Sequence, residues 1–124
     1  MCKALFSINP EYIEKIFSGQ KRYEYRKQVC KKKVTTMLIY ATTPIKMVVG
    51  EASVSEVFTQ RKGVLWEKTK DFSGVSKSFY DSYFDGYEYA TAYVLTNVIK
   101  YETPRPLSAY GVKVAPQSFC YIKE

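Results

Sequence analysis

Histidine is missing from this sequence of 124 residues. Its absence excludes Ser-His-Asp and Cys-His nucleophilic sites, zinc sites with histidine ligands, and the most common general base of enzymes. Cysteine is scarce, and Cys2, Cys30 and Cys120 lie far apart in the chain. They form no CxxC pair, so the sequence predicts neither a structural zinc site nor the disulfide framework of a small secreted protein.

Long hydrophobic runs are also missing. The apolar stretches fall well short of the roughly 18 residues that a membrane span requires. The amino terminus shows no signal peptide, because Met1–Phe6 leads directly into a polar, charged segment. We therefore expect a cytoplasmic protein that has no membrane partner and holds neither a metal nor a cofactor.

The composition is that of an ordinary globular protein with a basic excess. Hydrophobic residues make up 46% and charged residues 25% of the chain, which fits one domain over residues 1–124. The formal net charge is +7, and residues 1–35 hold nine Lys or Arg against three Glu. Such a balance points to polyanionic partners, most often nucleic acid.

The hydrophobic pattern predicts one helix at the start, then mainly strands. Asn9 is a good N-cap, Pro10 suits the first helical turn, and Gly19 suits a left-handed C-cap, so residues 10–18 are expected to be helical. The segment Arg22–Arg26 then alternates charged and aromatic side chains, as a strand does. Further strands are predicted at 35–41, 46–58 with a bulge at Gly50, 87–101 and 118–122, and short helices at 61–70 and 76–84. Pro104 and Pro106 are expected to end the long strand at 87–101.

Several segments resemble one known family. The pattern Gly-x-Lys-x-x-Glu-x-Arg occurs in Gly19–Lys27, directly after a helix opened by Ser7–Pro10. Other matches follow in the expected order: Tyr40–Pro44, Val49–Ala52, Trp66–Thr69, Gly86–Ala90 and Ala115–Phe119. Together they cover nearly the whole chain and resemble the ASCH domain, a member of the PUA-like superfamily that includes RNA-binding domains.

The resemblance implies an α+β, mostly β fold. We expect a small PUA-like β-barrel of about five or six strands with short flanking helices. It also implies a cleft between barrel and helices, lined by the Gly-x-Lys-x-x-Glu-x-Arg segment, where RNA or a nucleotide would lie. Because fold alone does not define function, the residues of this segment are considered separately.

Lys21, Glu24 and Arg26 are the central candidates. In a strand Glu24 and Arg26 share a face, whereas the direction of Lys21 at the helix-to-strand turn is not determined by the pattern. Arg26 can bind a phosphate or a base edge through two hydrogen bonds, and Lys21 can act as a point charge. Glu24 can hold Arg26 in place or accept a hydrogen bond from a base or sugar. The alternative is a surface ion-pair cluster of little energetic value.

A catalytic role for Lys21 and Glu24 is a second possibility. Some relatives of this architecture are amidohydrolases that deacetylate the exocyclic amine of cytidine, with a threonine nucleophile three residues after the lysine. Glu24 occupies that position here, so the hydroxyl is missing, although a carboxylate can activate a water. A metal-independent ribonuclease is the other enzymatic hypothesis.

Further candidates for nucleic-acid contacts surround this segment. The basic ones can bind phosphates, the threonines belong to the turn Thr42–Pro44, and the tryptophan can stack on a base. They are Arg22, Lys27, Lys31, Lys32, Lys33, Thr42, Thr43 and Trp66. The competing interpretations are a solvated lysine run, an ordinary β-turn, and a tryptophan that packs in the core.

The leading hypothesis is a non-enzymatic RNA- or nucleotide-binding module with a basic cleft beside the sheet. The alternative is a hydrolase that acts on RNA or on a modified nucleoside, and a third hypothesis is a protein-interaction module. A closed, nucleoside-sized pocket that contains both Lys21 and Glu24 would favour the enzyme, and an open basic groove would favour binding. The sequence does not determine the oligomeric state.

Overall fold

Six strands form a single sheet in a computed structural model that describes residues 2–123. The strands are β1 (Cys2–Ile8), β2 (Tyr23–Arg26), β3 (Val34–Ala41), β4 (Met47–Arg61), β5 (Tyr89–Arg105) and β6 (Phe119–Ile122). The helices are α1 (Pro10–Ser18), α2 (Lys62–Thr69) and α3 (Lys77–Tyr83), with 3₁₀ turns at Lys70–Phe72 and Leu107–Tyr110. None of the helices within residues 2–123 has the length and hydropathy needed to cross a bilayer.

The strand order across the sheet is β2-β5-β4-β3-β1-β6. Neighbouring strands are antiparallel except for β1 and β3, which run parallel. The mostly β architecture with six strands and short helices confirms the expected fold class. The sheet is not closed, however: among the described residues β2 and β6 are its two edges and do not pair.

The first strand was not predicted from the sequence. β1 lies between β3 and β6, and Ala4, Leu5 and Phe6 are fully buried. A central strand covered on both faces shows an apolar run instead of alternation, so its signal is weak over a short segment.

The end of the long strand was also predicted wrongly. β5 continues to Arg105, through Pro104. Gly50 pairs with Lys100 and Val48 pairs with Arg105, so the register shifts between these pairs and residues 101–104 have no partner on β4. Proline is tolerated in such an irregular stretch because no ladder hydrogen bond needs its missing N–H. The same irregularity confirms the bulge predicted at Gly50.

Helix α1 begins and ends as predicted. The Asn9 side chain accepts a hydrogen bond from the Glu11 amide at 2.9 Å, and Gly19 closes the helix in the left-handed conformation with φ 84°. Ile13 and Ile16 are buried against the sheet. The two later helices, α2 and α3, confirm the helices predicted at 61–70 and 76–84 within a few residues.

Three apolar clusters hold the sheet and helices together. The first lies under α1 and contains Phe6 and Ile39, and the second lies under α2 and α3 and contains Tyr80 and Phe84. The third includes Tyr101 and is covered by residues of the carboxyl-terminal segment. The short strand β2 follows α1, which covers the first cluster, and its Tyr25 side chain belongs to the second cluster.

Candidate functional site

A cavity of about 200 Å³ lies where β2 meets α1 and α3. We call it the Lys21 cavity. Its charged lining residues are Lys21, Glu24 and Arg26, and its aromatic lining residues are Tyr12, Tyr25, Phe79 and Tyr83. The structure therefore brings the three central residues of the sequence motif together in one cavity.

Glu24 and Arg26 form a buried ion pair. They alternate along β2 and, as predicted, share a face of the strand. The Oε2 atom of Glu24 accepts hydrogen bonds from Arg26 Nη2 at 2.8 Å and from Nε at 3.2 Å. Both residues are less than a tenth exposed, so this two-pronged contact is shielded from solvent and holds the guanidinium in one orientation.

The remaining donors of Arg26 are also engaged by the protein. Nη2 donates to the Ser7 carbonyl oxygen at 3.0 Å, and Nη1 donates to Ser118 Oγ at 3.0 Å and to the Ser118 carbonyl oxygen at 3.4 Å. A guanidinium has five N–H donors, and in this arrangement each has a protein acceptor. Arg26 thus links β2, one edge strand of the sheet, to β1 and to the segment before β6, the other edge strand.

Lys21 lies in the wall of the cavity and is only 3% exposed. Its Nζ donates to the Ser73 carbonyl oxygen at 2.8 Å and lies 3.9 Å from Glu24 Oε1. The amine also lies 4.9 Å from the ring centre of Tyr25 and 5.7 Å from that of Tyr12. Because one strong hydrogen bond leaves other directions open, the amine can meet a ligand in the cavity.

Burial lowers the pKa of the Lys21 amine from its ordinary value of 10.5. The nearby positive charges of Arg26 and Lys15 lower this pKa further, while the Glu24 carboxylate opposes the shift. The amine therefore releases its proton more easily than a lysine in solvent, which suits a role in proton transfer.

Gly74 fits closely over the Lys21 side chain. Its φ is +71°, and a Cβ at this position would stand 2.5 Å from Lys21 Cβ. The Gly74 carbonyl oxygen also accepts a hydrogen bond from Lys15 Nζ at 3.2 Å. Two lysines thus fasten the loop at 73–74 next to Val75, which lines the cavity, and no motif in the sequence singled out this loop.

Aromatic rings form the wall of the cavity on the helical side. The ring centres of Phe79 and Tyr12 are 5.5 Å apart. The ring centres of Phe79 and Tyr83 are 6.1 Å apart, and the planes of these two rings differ by 10°. The sequence motif does not include Phe79 or Tyr83. Their i, i+4 spacing on α3 was the available signal, but a core helix shows the same spacing.

Several predicted contact residues lie outside this cavity. Arg22 is exposed and stacks its guanidinium on Phe72 at 3.9 Å. Trp66 is 9% exposed and packs 4.8 Å from Tyr80 in the second apolar cluster. Thr42 and Thr43 lie in the turn between β3 and β4, where the Thr42 amide donates to the carbonyl oxygen of Ile8.

The three consecutive lysines line a different cavity, which we call the lysine-loop cavity. It measures about 340 Å³, and its lining includes Lys31, Lys32, Lys33, Cys30 and Tyr93. The lysines are exposed, whereas the Tyr93 hydroxyl donates to Cys30 Sγ at 3.1 Å and accepts from the Cys30 amide at 2.8 Å. The structure thus separates the lysine run from the lining of the Lys21 cavity.

Comparisons with known proteins identify the domain family. A family model described as the ASCH domain matches residues 6–105. An ASCH domain-containing ribonuclease of Zymomonas mobilis is 29% identical over 98% of this chain and 85% of its own length. The crystal structure of ASCH from Zymomonas mobilis superposes with a TM-score of 0.89 at 28% identity and covers 98% of this chain and 88% of that one.

Longer relatives match as well. The large ribosomal subunit protein uL22 of Ureaplasma parvum is 32% identical over 96% of this chain, but the match spans only 39% of that protein. The extent of the family match nevertheless leaves no ambiguity about the domain. The chain belongs to the ASCH domain family, as the motifs in its sequence suggested.

Proposed function

We propose that this ASCH domain binds RNA in the Lys21 cavity and cleaves its phosphodiester backbone. The observation that carries the proposal is the Lys21 amine, which is buried beside Glu24 and borders a cavity of about 200 Å³. Pockets for drug-sized ligands measure roughly 300–1,000 Å³, so this cavity suits one nucleotide unit better than a length of strand.

The arrangement favours an enzyme over a simple binding cleft. A binding cleft relies on cations that are free to contact phosphates, but the Arg26 guanidinium is fully engaged with Glu24, Ser7 and Ser118. Lys21 remains as the cation with an open direction into the cavity. The 29% identity to a protein named as a ribonuclease supports the same reaction.

The proposed step is an internal transfer at phosphorus. The deprotonated form of the Lys21 amine, which the lowered pKa makes easier to reach, takes the proton of the RNA 2′-hydroxyl, and the 2′-oxygen attacks the adjacent phosphorus. The bond from phosphorus to the 5′-oxygen breaks, that oxygen takes a proton from water, and the hydroxide that remains takes the proton from the Lys21 ammonium. The products are a 2′,3′-cyclic phosphate and a 5′-hydroxyl end. In a chain without histidine, a lysine with a lowered pKa is the natural general base.

Glu24 and Arg26 have positioning roles in this proposal. Arg26 joins the strand edge to the segments that contain Ser7 and Ser118, and Glu24 keeps Arg26 in place. The Glu24 carboxylate also limits how far the pKa of Lys21 falls. The deacetylase alternative lacks its hydroxyl, because Glu24 occupies the required position.

Cleavage of a fluorescent single-stranded RNA in EDTA tests the proposal. We expect the wild-type chain to produce 2′,3′-cyclic phosphate ends, detected by mass spectrometry, and to spare the same oligomer with 2′-deoxyribose. The Lys21→Ala variant should lose activity by a factor of about 10²–10⁴, the usual contribution of a general base. Lys33→Ala is the matched control and should cleave at the wild-type rate. A wild-type rate no higher than that of buffer, or an active Lys21→Ala variant, contradicts the proposal.

A further inference from the structure

A short loop between the 3₁₀ turn Lys70–Phe72 and helix α3 packs on the Lys21 side chain. We call residues 73–75 the Ser73 loop. The Ser73 hydroxyl donates to the Val75 carbonyl oxygen at 2.9 Å and accepts from the Val75 amide at 3.3 Å. Just before the loop, the Phe72 carbonyl oxygen accepts from the Arg22 amide at 2.9 Å. These hydrogen bonds fix the course of the loop beside the cavity.

The Ser73 carbonyl oxygen gives the Lys21 amine its direction. Lys21 Nζ lies 2.8 Å from this oxygen but 3.9 Å from Glu24 Oε1, so the carbonyl makes the closer contact. A lysine ammonium is a compact charge on a long, flexible stem. A hydrogen bond to a fixed backbone carbonyl restricts that stem, so the orientation of the amine depends on the loop.

Gly74 leaves the space that the stem of Lys21 occupies. A Cβ at residue 74 would lie 2.5 Å from Lys21 Cβ, 2.6 Å from Cγ and 2.8 Å from Cδ. Carbon atoms in favourable contact are about 3.5–4.0 Å apart. Because the collision starts at Cβ, rotation of the far end of the lysine does not relieve it. Any other residue at 74 therefore displaces the lysine or the loop.

We propose that Ser73 and Gly74 are positioning residues, which hold the Lys21 amine in the cavity wall through a carbonyl acceptor and through the absence of a side chain. Neither residue lines the cavity, so they act only through Lys21. The consequence for turnover rests on the proposed function, because it takes Lys21 as the general base. A displacement of about 1 Å of a reacting group can cost a factor of about 10² in rate.

Displacement of the stem also changes the surroundings of the amine. The ionisable side chains that face it come from α1 and β2, and they are Tyr12, Lys15, Glu24, Tyr25 and Arg26. Burial raises the pKa of both tyrosines, so they carry no charge near neutral pH. Burial is also the largest cause of the lowered pKa of Lys21. A stem pushed from the loop into the cavity is better hydrated, so this pKa moves back towards 10.5.

Amine labelling over a range of pH values tests the inference independently of cleavage. Wild type, Gly74→Ala and Gly86→Ala are treated briefly with acetic anhydride, and mass spectrometry gives the labelled fraction of the Lys21 amine. Gly86 is the matched control, because its φ is +82° but nothing lies within 4 Å of a Cβ there. Its replacement strains the backbone in a similar way without a collision. Circular dichroism verifies folding at each pH.

We expect the labelling midpoint of Lys21 to lie below pH 10.5 in wild type and in Gly86→Ala, and to move upward in Gly74→Ala. The kcat for RNA cleavage should fall about 10²-fold in Gly74→Ala and stay at the wild-type value in Gly86→Ala. An unchanged midpoint in Gly74→Ala, or an equal shift in both variants, overturns the positioning role.

Ser73→Ala decides the question if Gly74→Ala does not fold. This variant removes the two hydrogen bonds between the hydroxyl and Val75, but it adds no bulk and changes no charge. The loosened loop should hold the amine less firmly, so we expect the Lys21 midpoint to lie above that of wild type. A wild-type midpoint in folded Ser73→Ala would then overturn the inference.

The two proposals fail in different ways. A higher Lys21 midpoint in Gly74→Ala supports the positioning role even if the wild type does not cleave RNA, a result that contradicts the ribonuclease. A higher midpoint with unchanged kcat also supports the loop but contradicts Lys21 as the general base. Cleavage by the wild type, with the midpoint and kcat both unchanged in Gly74→Ala, supports the ribonuclease and overturns the positioning role.

Discussion

The Lys21 cavity and the lysine-loop cavity differ in how they hold their charges. The lysine-loop cavity is larger, at about 340 Å³ against about 200 Å³, and three consecutive lysines line it. Those lysines are exposed, whereas Lys21, Glu24 and Arg26 are each less than a tenth exposed. The smaller cavity therefore has fewer cations, but their positions are determined by the protein.

The comparison shows that burial, more than the number of charges, determines the pKa and the orientation of the charged groups in a cavity. An exposed lysine is mobile, well hydrated and screened by salt. Burial lowers the pKa of Lys21, and hydrogen bonds hold its neighbours in fixed geometry. Perturbed groups of this kind in a cavity are typical of functional sites.

The largest expected effect comes from removing the buried carboxylate. Glu24→Gln leaves Lys21 and Arg26 as two buried cations without a countercharge, so we expect a loss of about 3–5 kcal/mol in the free energy of unfolding. Urea denaturation measures this loss. The control Glu56→Gln changes an exposed carboxylate of the lysine-loop cavity and should stay within about 0.5 kcal/mol of wild type. Similar losses in both variants would remove the distinction between the cavities.

An intermediate effect, of opposite sign, is expected when the buried amine is replaced. Lys21→Met retains the length of the side chain and ends the cost of burying a charge, while Glu24 keeps its bond to Arg26. We expect a gain of about 1–2 kcal/mol in the free energy of unfolding near neutral pH, by analogy with apolar replacement of buried charges.

The gain from Lys21→Met should depend on pH. The folded-state pKa of Lys21 lies below its ordinary value of 10.5, so the wild type is penalised fully below the folded pKa. As the pH rises from the folded pKa towards 10.5, the unfolded state binds the extra proton and the wild type gains stability relative to the variant. Denaturation curves of both proteins between neutral and alkaline pH measure this convergence. A difference that is independent of pH would show that burial does not lower the pKa.

The smallest expected effect on turnover is that of the lysine run. Replacing Lys31, Lys32 and Lys33 by alanine should leave kcat for RNA cleavage unchanged, because none of the three lines the Lys21 cavity. The KM for a long RNA should rise modestly at low salt and less at high salt, as expected for screened attraction to a polyanion. Steady-state kinetics at two salt concentrations measure both constants. A fall in kcat comparable to that of Lys21→Ala would make the lysine run part of the site.

The motif indicated which residues lie close together, but not all the groups to which they are hydrogen-bonded. The alternation in Arg22–Arg26 correctly placed Glu24 and Arg26 on one face, because the side-chain period of a strand is a local property. The pattern allowed Arg26 either to bind a phosphate or to be held by Glu24, and in the fold its donors go to Ser7 and Ser118 as well as to Glu24. Those two acceptors are distant from Arg26 in the chain, so no local sequence pattern indicates them.

The aromatic residues show the same limit. Phe79 and Tyr80 are adjacent in the helix predicted at 76–84, yet Phe79 is 42% and Tyr80 2% exposed. Which side of α3 meets the second apolar cluster depends on where the sheet lies. The missed strand β1 has a similar cause, because its burial on both faces results from its neighbours β3 and β6.

The sequence by itself determined the features that depend on near neighbours. The caps at Asn9 and Gly19 and the alternation of β2 result from contacts or conformational preferences within a few residues. Tertiary structure decided the chemistry of the site. Lys21 meets the Ser73 carbonyl 52 residues away, and Arg26 meets Ser118 92 residues away. Burial and hydrogen bonding set the pKa of the amine and the freedom of the guanidinium, and both depend on groups that only the folded chain brings together.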